Sequence, residues 1–367
     1  MIAYLSIYLI TFSLFPFYNF MNENLKKIIL FLIFLFLLII TGLRFEVGGD
    51  WFNFLSNYEQ LDTSVWGENL FFQKSEPIYD FFLKISRSFN LSLAGLNIIL
   101  SFFLISSIFL VASEFKNPLL VILISVPYIL IVFGMGYISQ STAFAFIIFA
   151  IYFFNKKNFL ISLLLMLFSV GFHYSSVVFL PVYLILYLIN KGIKFNNRNI
   201  IIFFIIFFLF FSLSLFLLEQ YYNIYKYYLN PNLYTSPGAY IRLFLNLIIF
   251  FFFFLFYKDL NLIKEEKIIY LYTFFIFIIC AILLFSQSST ASDRLNLYVY
   301  LIHLFVLPKI LELKILQNYK SFLSFVVLII YGFILIFWLQ FANHKNAWVP
   351  YQMFFFNNYP IEFRIFP

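Results

Sequence analysis

Charged side chains are scarce in this sequence. They account for 11% of its 367 residues, whereas 64% are hydrophobic and the mean hydropathy is +0.97. Soluble domains carry about a quarter charged residues, so this composition excludes a soluble globular protein and indicates an integral membrane protein. Apolar runs of helix-spanning length recur along the chain and segments of alternating polarity do not, which excludes a transmembrane barrel.

Cysteine is nearly absent, and the usual cofactor signatures are missing. Cys280, inside an apolar run, is the single cysteine, so a disulfide framework is excluded. The sequence has no glycine-rich phosphate loop of either common type, and its three histidines show no three-ligand metal spacing. We therefore expect no cofactor, no metal and no nucleic-acid partner. No basic segment precedes the first apolar run and no small-residue cleavage site follows it, so we expect it to be the first membrane span.

The apolar runs predict an all-α, polytopic membrane protein with about 12 transmembrane helices, in a range of about 10 to 13. We treat residues 1–367 as a single transmembrane domain. Residues 159–189 are ambiguous and could form one helix and a half rather than two. The predicted spans lie near residues 2–20, 28–44, 92–113, 118–134, 141–154, 159–171, 174–189, 199–218, 240–257, 268–285, 295–308 and 321–340.

Basic residues set the predicted orientation. Fourteen of the 23 lysines and arginines fall in the six short loops that join odd to even spans, and the positive-inside rule makes that side cytoplasmic. Both termini then face outward, as do a long loop at 45–91, a second loop at 219–240 and the tail 341–367. Five of the six arginines lie on this outer side, where a rigid guanidinium fork suits binding of phosphate or carboxylate.

Residues 41–52 combine the features expected of a polar site at the membrane edge. Arg44 follows an uncharged apolar run, where it either snorkels to the head groups or serves a site. Gly48 and Gly49 break the helix. From Asp50 onward Trp51 occupies one face of a new helix, and Asp50 and Asn53 occupy another. In the same loop, Glu76-Pro77 predicts the start of a short amphipathic helix.

Other candidates stand at the outer ends of later spans. His173, between two apolar runs, is either a base or a buried histidine bonded to a carbonyl. Gln140 ends a stretch that begins Gly134-Met135-Gly136, which either presents amides to a ligand or is a tight turn. The tyrosine-rich loop 219–240 is typical of a membrane-interface belt.

The last two arginine candidates enter spans from that outer side. Arg242 lies just inside one span. Asp293 and Arg294 precede another, with Tyr298 one turn after Arg294.

Taken together, these motifs resemble the EpsG family of polysaccharide-assembly proteins, and within it the Wzy-type O-antigen polymerases. Ser139 stands where the family often has arginine, and Phe54 where it often has tyrosine. The matching pieces, in family order over nearly the whole chain, are Gly42-Leu43-Arg44-Phe45, Val47-Gly48-Gly49-Asp50-Trp51, Glu76-Pro77-Ile78-Tyr79, Gly134-Met135-Gly136-Tyr137-Ile138 with Gln140, Phe172-His173-Tyr174-Ser175-Ser176, Asp293-Arg294-Leu295 with Tyr298, and Trp348-Val349-Pro350-Tyr351.

The resemblance implies a GT-C-like glycosyltransferase of the bacterial inner membrane with its site facing the periplasm. It would transfer undecaprenyl-diphosphate-linked glycan onto the non-reducing end of another lipid-linked repeat unit, with a chain-length regulator as a possible partner. The expected roles are a base, a diphosphate site and a sugar site. The candidates are Asp50, His173 and Asp293 for the base, Arg44, Arg242 and Arg294 for the diphosphate, and Trp51, Asn53, Gln140 and Tyr298 for the sugars.

Two other functions stay open at this stage. A lipid-linked oligosaccharide flippase would also keep charges in a cavity, but it would be expected to show an internal repeat, and we find none. An O-antigen ligase would need the same site chemistry, and only the family resemblance distinguishes it from a polymerase.

Overall fold

The computed structural model describes residues 1–60, 76–193 and 235–355, together with residues 198, 199, 202, 205 and 230. Regular structure in these residues is helical, and a single β-bridge joins Arg44 to Met353. The all-helical prediction is confirmed for this part of the chain. The α-helices are α1 (Ile2–Leu14), α2 (Glu23–Gly42), α3 (Trp51–Gln60), α4 (Pro77–Ser88), α5 (Leu93–Ala112), α6 (Pro118–Ser125), α7 (Ile138–Asn155), α8 (Phe159–Phe172), α9 (Leu180–Asn190), α10 (Ala239–Leu255), α11 (Lys264–Phe285), α12 (Ser289–Val299), α13 (Leu301–Leu311) and α14 (Lys320–Phe341).

Five helical segments in the described residues are long and apolar enough to cross a membrane. They are α2, α5, α7, α11 and Lys314–Phe341, and α12 with α13 make a sixth if their 44° bend lies within one span. Several shorter apolar helices accompany them. Two of these, Phe159–Phe172 and Tyr174–Asn190, occupy the ambiguous stretch 159–189, and α9 is the second part of the latter. A helix lies at every predicted span except 199–218, most of which lies outside the described residues. The chain is an integral membrane protein, and the total of about 12 spans remains a prediction.

The chain divides into two compact units, which we describe separately. Unit 1 contains Met1–Tyr152, Leu164–Tyr174 and Lys314–Pro367, and unit 2 contains Phe153–Leu163 and Ser175–Leu313.

Unit 1 is built around α2, α5 and α6, with the short helices α3 and α4 packed on one end. Pro77 occupies the first turn of α4, where its missing N–H is not needed. Tyr79 and Leu83 lie one turn apart and are buried with Trp51 and Phe54 of α3 in one hydrophobic cluster. The amphipathic helix predicted after Glu76 is therefore present.

The helical segment that follows α6 is buried and has wider turns than an α-helix. Residues Val126–Gly134 form a π-helix and are all buried. Pro127 has no amide hydrogen to donate to the preceding turn, so the α-helical bonding pattern is interrupted there. One backbone carbonyl of this segment, that of Ile131, accepts a hydrogen bond from the Trp348 side chain.

Unit 2 packs α10 and α11 against the bent pair α12 and α13. The break falls at Tyr300, whose N–H bonds to the carbonyl of Leu297 at 3.4 Å. The predicted span at 295–308 is thus two helices, and the first begins earlier than expected, at Ser289.

Candidate functional site

Arg44, in unit 1, is enclosed by the turn that follows α2. Its side chain is 1% exposed, Nη1 donates to the carbonyl oxygen of Thr41, and Nε donates to that of Val47 at 3.2 Å. Burial lowers its pKa to about 10, which leaves the guanidinium charged at neutral pH. Because the group is buried and bonded to backbone, the snorkelling alternative is wrong.

The C-terminal segment 345–355, here called the C-terminal strap, runs along this turn. Phe45 and Gly48 donate backbone N–H bonds to the carbonyls of Gln352 (3.0 Å) and Ala347 (2.8 Å). The phenol of Tyr351 donates to the carbonyl of Ile40 at 2.9 Å. Of the tail predicted at 341–367, the strap is therefore docked on unit 1, and residues 356–367 lie outside the described residues.

Two glycines of the sequence motifs meet beneath the strap. Gly48 has φ of +116°, and a Cβ added there would overlap the carbonyl oxygen of Met135. A Cβ on Gly136 would lie 2.6 Å from the Trp348 ring, whose Nε1 donates to the carbonyl of Ile131 at 3.0 Å. Close packing explains these glycines, so a ligand is not needed to account for the stretch at 134–140. Gln140 itself is 1% exposed within α7.

His173 and Glu76 form an acid–base pair at the end of unit 1. The Nδ1 atom of His173, directly after α8, contacts the Oε1 atom of Glu76, the residue that immediately precedes α4. The two side chains are 21% and 18% exposed, so both reach the surface of the unit. Gly171 allows the approach, because a Cβ there would lie 2.5 Å from the side chain of Ile78. Sequence reasoning named His173 but not its partner, which lies 97 residues away.

Tyr79 lies one turn after Glu76 and is fully buried. Burial raises its pKa well above the usual value, and the charges of Glu76, Asp80 and Asp50 act in the same direction, while Arg44 opposes them. The phenol therefore stays protonated. Glu76, Asp80, Asp50 and Arg44 therefore all lie within electrostatic reach of the Tyr79 hydroxyl in unit 1.

Three candidate residues lie in or just before α3, two of them near Tyr79 and one on the surface. Trp51 is 3% exposed and belongs to the same hydrophobic cluster as Tyr79, and Asp50 is half-buried beside it. Asn53 is exposed on the opposite face, so the predicted sugar contact at Asn53 would lie on the outside of the unit.

In unit 2, Arg242 and Asp293 bind each other. Nε of Arg242 donates to Oδ1 of Asp293 at 2.5 Å. Ser236 closes a ring by donating to Oδ2 of Asp293 at 2.8 Å and accepting from Nη2 of Arg242 at 3.0 Å. The sequence assigned these two residues separate roles as phosphate ligand and base, yet each is the other's partner.

A second polar layer lies one turn further along, where Asn246 of α10 and Asn296 of α12 meet His303 of α13. Nδ2 of Asn246 donates to Oδ1 of Asn296 at 2.7 Å, and Oδ1 of Asn246 lies 2.7 Å from Nε2 of His303. An amide oxygen only accepts, so this nitrogen of His303 carries a hydrogen. Sequence reasoning missed this layer; the signal for it was three polar residues within apolar runs, Asn246, Asn296 and His303.

The remaining candidates of unit 2 are Tyr298 and Arg294. Tyr298 is fully buried in α12, and its hydroxyl lies 2.8 Å from Oγ of Ser175. Arg294 is half-buried on the same helix. Most of the loop predicted at 219–240, including its tyrosines at 221–234, lies outside the described residues. Within the described ranges, no group of three histidine, cysteine or acidic side chains is arranged to hold a metal.

A family model described as the EpsG family matches residues 27–353. The chain belongs to the EpsG family. Proteins of this family are Wzy-type polymerase-like, so membership indicates a membrane protein of polysaccharide biosynthesis with a glycosyltransferase-like, polymerase-like function. Neither the curated proteins nor the solved structures include a significant match.

Proposed function

We propose that this EpsG-family protein polymerises a surface polysaccharide in the bacterial inner membrane. The donor would be a glycan linked to undecaprenyl diphosphate, and the acceptor the non-reducing end of another lipid-linked repeat unit. In this proposal the site faces the periplasm, as the lysine distribution predicts. A chain-length regulator would be its protein partner.

The observation that carries the proposal is the contact between His173 and Glu76. Glycosyl transfer to a sugar hydroxyl needs a base within hydrogen-bond reach of that hydroxyl. When Nδ1–H of His173 donates to the Glu76 carboxylate, the lone pair of Nε2 is left to accept a proton, and the carboxylate stabilises the imidazolium that forms. Among the base candidates the sequence slightly favours Asp50, but this contact makes His173 the base in our proposal and Asp50 the second candidate.

The proposed step balances without a cofactor. The acceptor hydroxyl gives its proton to Nε2 of His173 while its oxygen forms a bond to the anomeric carbon of the donor sugar. The bond between that carbon and the diphosphate oxygen breaks, and undecaprenyl diphosphate leaves with the electron pair. Fixed positive charges stabilise such a leaving group in a site of low dielectric constant.

The arginines differ in how well they suit this role. Two nitrogens of Arg44 are taken up by backbone carbonyls, and Arg242 is neutralised by Asp293. We keep the proposal that arginines bind the diphosphate, with Arg44, Arg242 and Arg294 as its candidates.

Deletion of the gene, followed by gel analysis of the surface polysaccharide, tests the proposal. A polymerase defect leaves a single repeat unit on the lipid core. Loss of every repeat unit would indicate a flippase or a ligase instead, and an unchanged ladder would refute all three functions.

A further inference from the structure

Unit 1 contains buried polar atoms that have no hydrogen-bond partner among the described residues. Four of these atoms are Nη2 of Arg44, Nε1 of Trp51, the hydroxyl of Tyr79 and Oε1 of Gln352. Each of the four side chains is at most 5% exposed. Leaving such a group unpaired costs about 1–3 kcal/mol, and proteins rarely accept that cost several times in one place without a function.

Independent contacts place the four groups in one neighbourhood. Tyr79 packs on Phe54 with 5.7 Å between ring centroids, and Trp51 lies in the same hydrophobic cluster. The charge of Arg44 acts on Tyr79. The strap holds Gln352 against the turn of Arg44, through the bond from Phe45 N to the Gln352 carbonyl at 3.0 Å.

The chemistry of the set points to a particular class of ligand. Arg44, Trp51 and Tyr79 supply donors, and the amide oxygen of Gln352 is an acceptor. Sugar hydroxyls both donate and accept, whereas a fully ionised diphosphate only accepts. The aromatic rings of Trp51 and Tyr79 add apolar surface of the kind on which a sugar ring packs.

The surrounding charge supports the same choice. The charges that act on Tyr79 are those of Glu76, Asp80 and Asp50, with Arg44 as the one cation among them. A diphosphate placed here would meet three carboxylates and a single guanidinium. An uncharged ring meets no such repulsion.

We infer that Arg44, Trp51, Tyr79 and Gln352 form a subsite for an uncharged sugar of the glycan acceptor. This inference deepens the proposed function and rests on it only in calling the bound glycan the acceptor. The binding of a sugar here does not depend on that function. It gives Tyr79 and Gln352 a role that the sequence did not suggest, and it reassigns Arg44 from the diphosphate to a sugar oxygen. The subsite lies beside the pair His173–Glu76, where the acceptor hydroxyl is needed.

Calorimetric binding to the full chain in lipid nanodiscs tests this inference. The probes are an uncharged repeat-unit oligosaccharide, released by mild acid from the cells' own polysaccharide, and inorganic pyrophosphate. We expect the oligosaccharide to bind and a tenfold excess of pyrophosphate to leave its affinity unchanged. Tyr79→Phe removes one hydrogen bond and should weaken oligosaccharide binding about three- to tenfold.

Thermal unfolding without ligand supplies the control for folding. Removal of a buried, unpaired hydroxyl is neutral or stabilising, so Tyr79→Phe should keep or raise the midpoint. Tyr319→Phe, at a ring that is 64% exposed, should change neither affinity nor midpoint.

Four results would overturn the subsite. Two concern the wild-type chain: no binding of the oligosaccharide, or its displacement by pyrophosphate. Two concern Tyr79→Phe: an unchanged affinity for the oligosaccharide, or a lowered unfolding midpoint. Because binding is measured without turnover, the subsite could stand even if the deletion strain made a normal ladder, which would refute the polymerase proposal alone.

Discussion

Arg242 and Asp293 lie 2.5 Å apart between Nε and Oδ1, with both side chains largely withdrawn from solvent at 13% and 10% exposure. They lie near the starts of two facing helices of unit 2. Ser236 joins them in a ring of hydrogen bonds, and their opposite charges compensate each other. One turn on, Asn246 and Asn296 repeat the pairing without charge. The pair therefore fixes the alignment of α10 with α12.

We predict that single changes to this pair are more damaging than their combination. Asp293→Asn or Arg242→Gln leaves one buried charge unpaired and should cost about 3–5 kcal/mol, whereas the double variant should cost less than the sum. Chemical or thermal unfolding of the purified variants measures both quantities. Additive losses would show that the two residues act independently.

A lysine scan tests the diphosphate expectation. Lysine keeps the charge of arginine but lacks its two-pronged geometry. We expect Arg294→Lys to shorten the polymer at normal membrane abundance. Arg44→Lys should lower the abundance as well, because two nitrogens of Arg44 bond to carbonyls of its own turn. Gel ladders normalised to abundance separate the effects. Normal ladders from Arg44→Lys, Arg242→Lys and Arg294→Lys would exclude a guanidinium requirement.

The third prediction concerns the base. A positioned general base contributes about 10²–10⁴ in rate, so His173→Gln should nearly abolish polymer at normal abundance. Glu76→Gln keeps a hydrogen-bond acceptor but loses the charge that stabilises the imidazolium, so its defect should be intermediate. An active His173→Gln combined with an inactive Asp50→Asn would make Asp50 the base, and if both are active Asp293 is tested next.

The glycines beneath the strap give a steric prediction. Gly48→Ala adds a Cβ that overlaps the Met135 carbonyl at a positive φ and should destabilise unit 1 by about 2 kcal/mol or more. Gly49→Ala is the matched control, since its nearest contact would be an ordinary 3.6 Å to the Trp348 ring. Membrane abundance and unfolding midpoints compare them, and equal behaviour would contradict the packing at Gly48.

Orientation can be tested at the two ends of α5. Ser92 and Ser113 flank this helix and are both exposed, while the native Cys280 is buried. An impermeant maleimide should label Ser92→Cys from the periplasm and Ser113→Cys only after the inner membrane is opened. The reverse pattern would invert the predicted topology.

Local sequence patterns were sufficient for most helices and for the amphipathic α4, because periodicity and Pro77 act over a few residues. They were insufficient where partners are distant in the chain. Asp293 and Arg242 were each assigned to substrate because neither sequence neighbourhood contains the other. Glu76 was not paired with His173 for the same reason. The break at Tyr300 lies within an apolar run that contains neither glycine nor proline at that point, so no local signal in the sequence marks it.

The docked strap has a consequence for biosynthesis. Gly48 bonds to Ala347, so the turn that holds Arg44 and Asp50 is inserted long before its partner has been translated. At about 5–20 residues per second, the intervening stretch of about 300 residues takes roughly 15–60 seconds to emerge. During that interval the nascent turn must remain unfinished, and a stop codon ahead of the strap would release a chain that inserts but never matures.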